Sequence, residues 1–564
     1  MTLLHPAVSR RRFRPVLGFL AATLGACGGS TDPGQPAVNC DGVPVTTLTV
    51  GGHAILDPAA TNGCLRLPAA GPGGAEHLVV TYSANGQEAP TGVRGGFSLR
   101  GVGDDFAALR AEPYASPRLS AFQSPVGPAA FHQRLRERER QLARSPGAAL
   151  SRLAPARVAV PPTVGSQRDF QVCADTNCGA FVTVRATASY VGSKSAIYLD
   201  DTVPAGGFTG GEIAAVGALF DAELYPIDTT AFGRESDVDG NGVVAVLLTD
   251  AVNALAPDCQ QTGAVIVGYF FGLDLLLGEP NSNEGEVFYG LVPDPSKPVC
   301  ASKAQVLDLI APTFIHEFQH MISYHRHVLL GGGAAEETWL NEGLSHFAEE
   351  LGGRQVTPGS CTAGNCLNQF ASGNLLNGYD YLAAPESHYL VEPGSSSGTF
   401  AERGANWLFL RWLADRSLAD SVLGTDLTRA MLGADAGGLT LTGGANVAAA
   451  AQQFQAGVTL VTLLGQWHLA NYTEVLPAFT EPSGRIQYRT WDLASAFSQV
   501  IPGPYPLFPD STDGPGYRAS GTLRGGSGSY ARIVQAADAP AVALGLSVKN
   551  QAAVLPRYAV LRIR

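Results

Sequence analysis

In the middle of the chain, apolar residues recur with helical spacing at Val306, Leu309, Ile310, Phe314, Ile315, Phe318, Met321 and Ile322, a pattern that predicts a buried helix. Ser302 with Gln305 forms a capping box that starts it. Pro312 cannot donate to the Asp308 carbonyl and crowds it, so a kink is expected there. Leu340, Leu344, Phe347 and Leu351 repeat the spacing and predict a second helix, with Gly352-Gly353 as its stop. Before the first helix the pattern reads strand Ala196–Leu199, helix Gly211–Glu223, then strands Val243–Leu248, Ala264–Tyr269 and Glu286–Leu291. After the second helix, Ala401–Ala414 and Val458–Leu469 are amphipathic at helical period. Both ends of the chain carry short alternating runs between Gly, Pro and Asn turns, among them Thr46–Val50, His77–Tyr82, Gly96–Leu99, Tyr530–Val534, Val542–Val548 and Tyr558–Ile563.

Five segments follow from these shifts: 1–26 an export signal, 27–116 a β-rich module, 117–165 a linker around the charged helix His132–Arg144, 166–480 the main domain, and 481–564 a small β-sandwich. The mixed Arg/Glu pattern of the linker helix reads as a solvated face, with a propeptide or autoinhibitory segment as the sharper alternative.

The first buried helix carries His316-Glu317-Phe318-Gln319-His320. Residues four apart lie one above the other on a helix, so both imidazoles can reach one zinc ion at roughly 2.0–2.1 Å. Glu317 then stands beside the water that the metal activates and can take its proton. With 11 histidines in 564 residues, the pattern is uncommon by chance. A catalytic zinc also needs a third protein ligand. The metzincin pattern fails, because Ser323 and Arg326 stand where that class has Gly and His. On the second helix Glu342, His346 and Glu349 share a face away from the apolar one.

These residues resemble the gluzincin metallopeptidases, in which the Glu of an Asn-Glu-Gly segment on a following helix is the third ligand; Asn341-Glu342-Gly343 matches it. The wording His-Glu-Phe-Gln-His, with Ser282-Asn283-Glu284 and Phe232-Gly233 upstream, looks most like the hyicolysin-type neutral peptidases of bacteria, over about residues 166–475. The resemblance implies an α+β, two-lobed zincin fold: a mixed-sheet upper lobe, the His-Glu-x-x-His helix and a helical lower lobe. It implies a zinc endopeptidase acting on protein or peptide, with His316, His320 and Glu342 holding Zn2+, Glu317 as base, and His346 or Glu349 supporting a ligand. A lower-lobe Tyr or His would stabilise the oxyanion; Tyr379, Tyr381, His388 and Tyr389 lie in that stretch, Tyr389 being the favoured one. Glu286–Tyr289 is the candidate strand for an extended substrate. A catalytically silent zincin scaffold serving as a binding lipoprotein is the alternative.

Arg10, Arg11, Arg12 and Arg14 before the apolar run Val16–Ala22, then Leu24-Gly25-Ala26-Cys27, read as a lipoprotein signal with Cys27 as the lipid anchor to a membrane of the cell envelope. The other eight of the nine cysteines suit an oxidising compartment, and proximity pairs Cys40–Cys64, Cys173–Cys178, Cys259–Cys300 and Cys361–Cys366. A formal charge of −12 argues against nucleic-acid binding. Asp237, Asp239 and Asn241, with Gly242, match the first half of an EF-hand loop and make a candidate Ca2+ site, but position 12 is Leu248, so a full EF-hand is excluded. His325 and His327 read as exposed residues at a helix end.

Overall fold

An alternating strand needs something to cover its apolar face, and the runs at the two ends of this chain cover each other. The structure is a computed structural model that describes residues 38–102, 126–154, 158–394, 398–417, 423–476, 479, 481 and 483–564. Cys27 and the expected export signal lie outside the described residues. The first strands are β1 (His53–Leu56), β2 (Cys64–Leu67), β3 (Ala75–Ser83) and β4 (Arg94–Val102). Next come β5 (Gln167–Cys173), β6 (Phe181–Val191), β7 (Ser195–Asp200), β8 (Val244–Leu248), β9 (Gly268–Phe270) and β10 (Val287–Gly290). The last are β11 (Asp510–Thr512), β12 (Arg518–Arg524), β13 (Gly528–Gln535), β14 (Val542–Val548) and β15 (Pro556–Arg562).

The fold is mixed α+β. Strands from the two ends interleave as β1-β15-β3-β13-β11 and β12-β4-β14-β2. Leu65, Leu67, Val79, Phe97, Leu99, Leu523, Ile533, Leu544 and Val560 fill the space between these sheets. The two β modules expected from the sequence are therefore one sandwich, and the run expected at Thr46–Val50 is not a strand. The expected boundary near residue 480 also moves. Ile486, Tyr488, Trp491, Leu493, Phe497 and Leu507 belong to the hydrophobic core of the helices.

The central sheet runs β5-β6-β7-β8-β10-β9, with β7, β8 and β10 parallel and β9 antiparallel at the edge. Its side chains alternate between two cores, as strand geometry requires. Val244, Val246, Leu248 and Phe288 meet Ile310, Phe314 and Phe318 on one face, while Ala245, Leu247, Val287 and Tyr289 meet Phe131, Leu135 and Phe170 on the other. Glu286–Tyr289 therefore heads an interior strand, and the strand at the edge is β9.

The helix Lys303–Tyr324 begins at the Ser302/Gln305 capping box and runs unbroken through Pro312. The Asp308 carbonyl that Pro312 leaves without a donor accepts from Gln369 Nε2 at 2.8 Å, so a neighbouring helix replaces the missing bond. The helix Thr338–Gln355 does not stop at Gly352-Gly353. A Cβ at Gly352 would meet the Phe370 ring at 2.7 Å, so these glycines serve close packing against the helix Cys366–Ala383. The four sulfur pairs expected from proximity are all formed. His327, expected on the surface, is fully buried 3.5 Å from Glu336.

The buried carboxylate of Glu350 ties its own helix to the helix Phe400–Arg416 and to the segment at Trp491. It accepts from Trp407 Nε1 at 3.0 Å, Trp491 Nε1 at 2.7 Å and Arg354 Nε at 2.7 Å, and Arg411 lies 3.5 Å away. Glu350→Ala would leave two buried indole N–H groups without their acceptor, while Arg411 keeps Asp415 at 2.9 Å, and it is expected to lower the unfolding free energy by about 2–5 kcal/mol in denaturant titration. Wild-type stability after the change would show that water reaches this network.

Glu392 is a contrasting case. It is buried; among the described residues Asn406 Nδ2 reaches one oxygen at 3.5 Å, and the other oxygen has no hydrogen-bond partner. Burial, then the nearby Glu402 charge, pushes its carboxyl up to about 8. A carboxyl raised on folding binds its proton more tightly in the native state, so its stabilising effect is whole below the unfolded value of 4.5 and declines until pH about 8. Glu392→Gln, which mimics the protonated form, should match wild type near pH 5 and melt higher near pH 8. Equal melting differences at both pH values would refute this.

Candidate metal centre

His316 and His320 lie one turn apart on the helix Lys303–Tyr324, with their Nε2 atoms 3.2 Å apart. Each ring is fixed from behind. His316 Nδ1 donates to Glu349 Oε1 at 2.7 Å. Ser345 Oγ donates to Gln319 Oε1 at 2.5 Å and so accepts from His320 Nδ1 at 3.0 Å. With both Nδ1 atoms protonated, both Nε2 lone pairs point into the same space. Glu342, from the helix Thr338–Gln355, completes the group: its oxygens lie 3.5 Å from His316 Nε2 and 3.8 Å from His320 Nε2. Its Oε1 is buried with no hydrogen-bond partner. Two lone pairs and an orphaned carboxylate oxygen converge, all within 4.8 Å. Tetrahedral ligands of zinc sit roughly 3.3 Å apart, so this donor set fits a zinc ion.

Glu317 is 1% exposed; its Oε2 accepts from Phe270 N at 2.8 Å, and its Oε1 lies 3.8 Å from His132 Nδ1. Burial raises its carboxyl above the ordinary value, against the pull of His316 and Arg136. Glu349 behaves oppositely. Its burial would raise it too, but the His346 charge and the hydrogen bonds from His316 and His346 prevail and hold it at about 2. His346 and Glu349 are thus both placed behind or beside His316, whose ring centroid is 4.9 Å from that of His346.

The cleft is bordered by Val265, Val267 and Gly268 at the sheet edge, Thr313, His316 and Glu317 on one helix, Glu342, His346 and Glu349 on the next, and Phe400 and Arg403 opposite. Tyr389 is not among its lining residues. It packs against Gly92 and under the Arg524 guanidinium, 5.9 Å from the ring, because the turn after Pro385 carries it to the sandwich. Tyr379 bonds Pro504, Tyr381 stacks on Trp467, and His388 pairs with Glu402. In their place stands Arg403, whose guanidinium pairs with Glu342. Burial, then the Arg136 charge, lowers it to about 9. A signal for it existed: Arg403 stands among Phe400, Ala401, Ala405, Trp407 and Leu408 in a helix that is apolar over most of its length.

The helix expected to be a solvated linker spans Val126–Leu142 and roofs this cleft. His132 lines the cleft, Phe131 and Leu135 are buried, and Arg136 Nη2 donates to Phe270 O at 2.7 Å. Glu139 accepts from Gly272 N at 2.7 Å and pairs with Arg136 at 3.3 Å. Its Arg/Glu pattern resembled a solvated face because the two charges satisfy each other inside the protein.

Asp237, Asp239 and Glu286 form a second group whose oxygens lie within 4.8 Å of one another. Asn241, expected as a ligand, instead turns the loop: its Oδ1 accepts from Val243 N at 2.8 Å and its Nδ2 donates to Asp239 at 2.7 Å.

No protein-family profile matches the chain. It is similar to the neutral metalloprotease ShpI of Staphylococcus hyicus, 28% identical over 168 residues, which are 29% of this chain and 36% of that protein. The chain thus spans about a third of the length of the metalloprotease it matches.

Proposed function

We propose that this chain is a zinc-dependent endopeptidase of gluzincin type. The observation that carries this reading is the convergence of His316 Nε2, His320 Nε2 and an unpartnered Glu342 oxygen beside the buried carboxylate of Glu317, in a cleft bordered by a sheet edge. The partial similarity to a neutral metalloprotease supports it. Bound zinc would lower the pKa of water to about 7 and polarise a substrate carbonyl.

The chain's own residues supply the rest. Glu317 takes the water's proton on one oxygen while Phe270 N holds the other, and its raised carboxyl suits a base that must later give the proton to the leaving amine. Glu349 and Ser345 keep the two imidazoles turned. Arg403 and His346 face the cleft and take the role of oxyanion donors that the sequence assigned to Tyr389. An extended peptide lies along Val265–Gly268, the outer edge of the sheet, by main-chain pairing.

Metal removal tests this directly. A diverse peptide library should be cut by the purified protein, cutting should cease after a zinc chelator and dialysis, and it should return with added zinc. Cleavage indifferent to chelation would leave the reading without its centre.

A further inference from the structure

The loop Asp237–Gly242 leads into β8, and Glu286 immediately precedes β10, the parallel neighbour of β8. The loop lacks the carboxylate that would close an EF-hand, because Leu248 occupies that place inside a strand. The structure supplies a carboxylate from elsewhere. Glu286 is 3% exposed, and an oxygen of it lies within 4.8 Å of oxygens of both Asp237 and Asp239. Its Oε1 accepts from Ser236 Oγ at 2.6 Å and Val238 N at 3.0 Å, both neutral donors. Its Oε2 is buried and has no hydrogen-bond partner. Among the described residues, the Arg168 guanidinium lies 3.9 Å from Asp239.

We propose that Asp237, Asp239 and Glu286 bind a calcium ion that clamps the loop before β8 to the start of β10. Three carboxylates, two from the turn and one from the residue before β10, suit a hard cation that prefers oxygen ligands. Magnesium demands a tighter octahedron and fits such a half-open loop less well. The clamp would stiffen the strand that pairs with β9, at the cleft edge. It stands apart from the peptidase reading, since its test reads stability and binding, not cleavage.

Full-length protein, treated with a calcium-selective chelator that leaves zinc in place, would be titrated with calcium chloride while the melting midpoint and calcium bound at equilibrium dialysis are followed. One calcium per chain and a rise of roughly 3–8 °C are expected at millimolar calcium. Glu286→Gln should melt at or above the calcium-free wild type and gain nothing from calcium. Asp237→Asn, at an exposed loop position, should weaken binding at least tenfold and serves if the first variant fails to fold. No calcium-dependent rise in wild type, an equal rise with magnesium chloride, or a full rise in both variants would each overturn the proposal.

Discussion

Glu317→Gln should cut peptide hydrolysis by about 10²–10⁴-fold while the protein keeps its zinc and its melting temperature. The amide keeps the size of the carboxylate, and its oxygen can still accept from Phe270 N, so the fold has no reason to change. What is lost is a group that can take a proton. The effect should fall on kcat more than on KM, because the proton is in flight only in the transition state. Neutral Gln also removes a buried charge, so a slight gain in stability is compatible with the assignment. A variant with wild-type turnover would show that water is activated elsewhere.

Glu342→Ala should lose most bound zinc and nearly all activity. Two effects are combined in this variant and must be separated. The carboxylate is a third metal donor, and it is also the partner of the buried Arg403. Removing it strands a guanidinium, which by itself costs about 3–5 kcal/mol of stability. Adding Arg403→Met should restore the melting temperature but not the zinc, a combination that a purely structural role for Glu342 would not produce. Full zinc occupancy in Glu342→Ala would move the ligand elsewhere. Neighbouring acids are poor substitutes, since Glu336 is held by Gly443 N and Asn446 Nδ2, and Glu337 by Trp339 Nε1.

What could be read from the sequence was local. The helical period alone sets His316 above His320, and Glu342 reaches them because its own helix follows after a short connection. Disulfides between cysteines five residues apart needed no knowledge of the fold. Positions fixed by distant contacts stayed hidden. Glu286 looked like part of a substrate strand because nothing nearby in sequence marks its approach to Asp237 and Asp239. Tyr389 is favoured from the sequence because the resemblance calls for a lower-lobe Tyr or His and the following helix could hold it against the cleft, whereas the partner of the buried Arg403 lies 61 residues earlier in Glu342. The helix Val126–Leu142 was read by its charges, but Arg136 and Glu139 neutralise each other out of water.

The interleaved sandwich also bears on how the molecule comes into being. β3 is made long before either of its sheet neighbours, β13 and β15. Its row of backbone donors and acceptors must wait, unpaired and prone to stray pairing, while the whole helical region between them is translated. The sandwich can therefore close only after the whole region between β4 and β11 has been made, and loss of either set of strands removes about half of it.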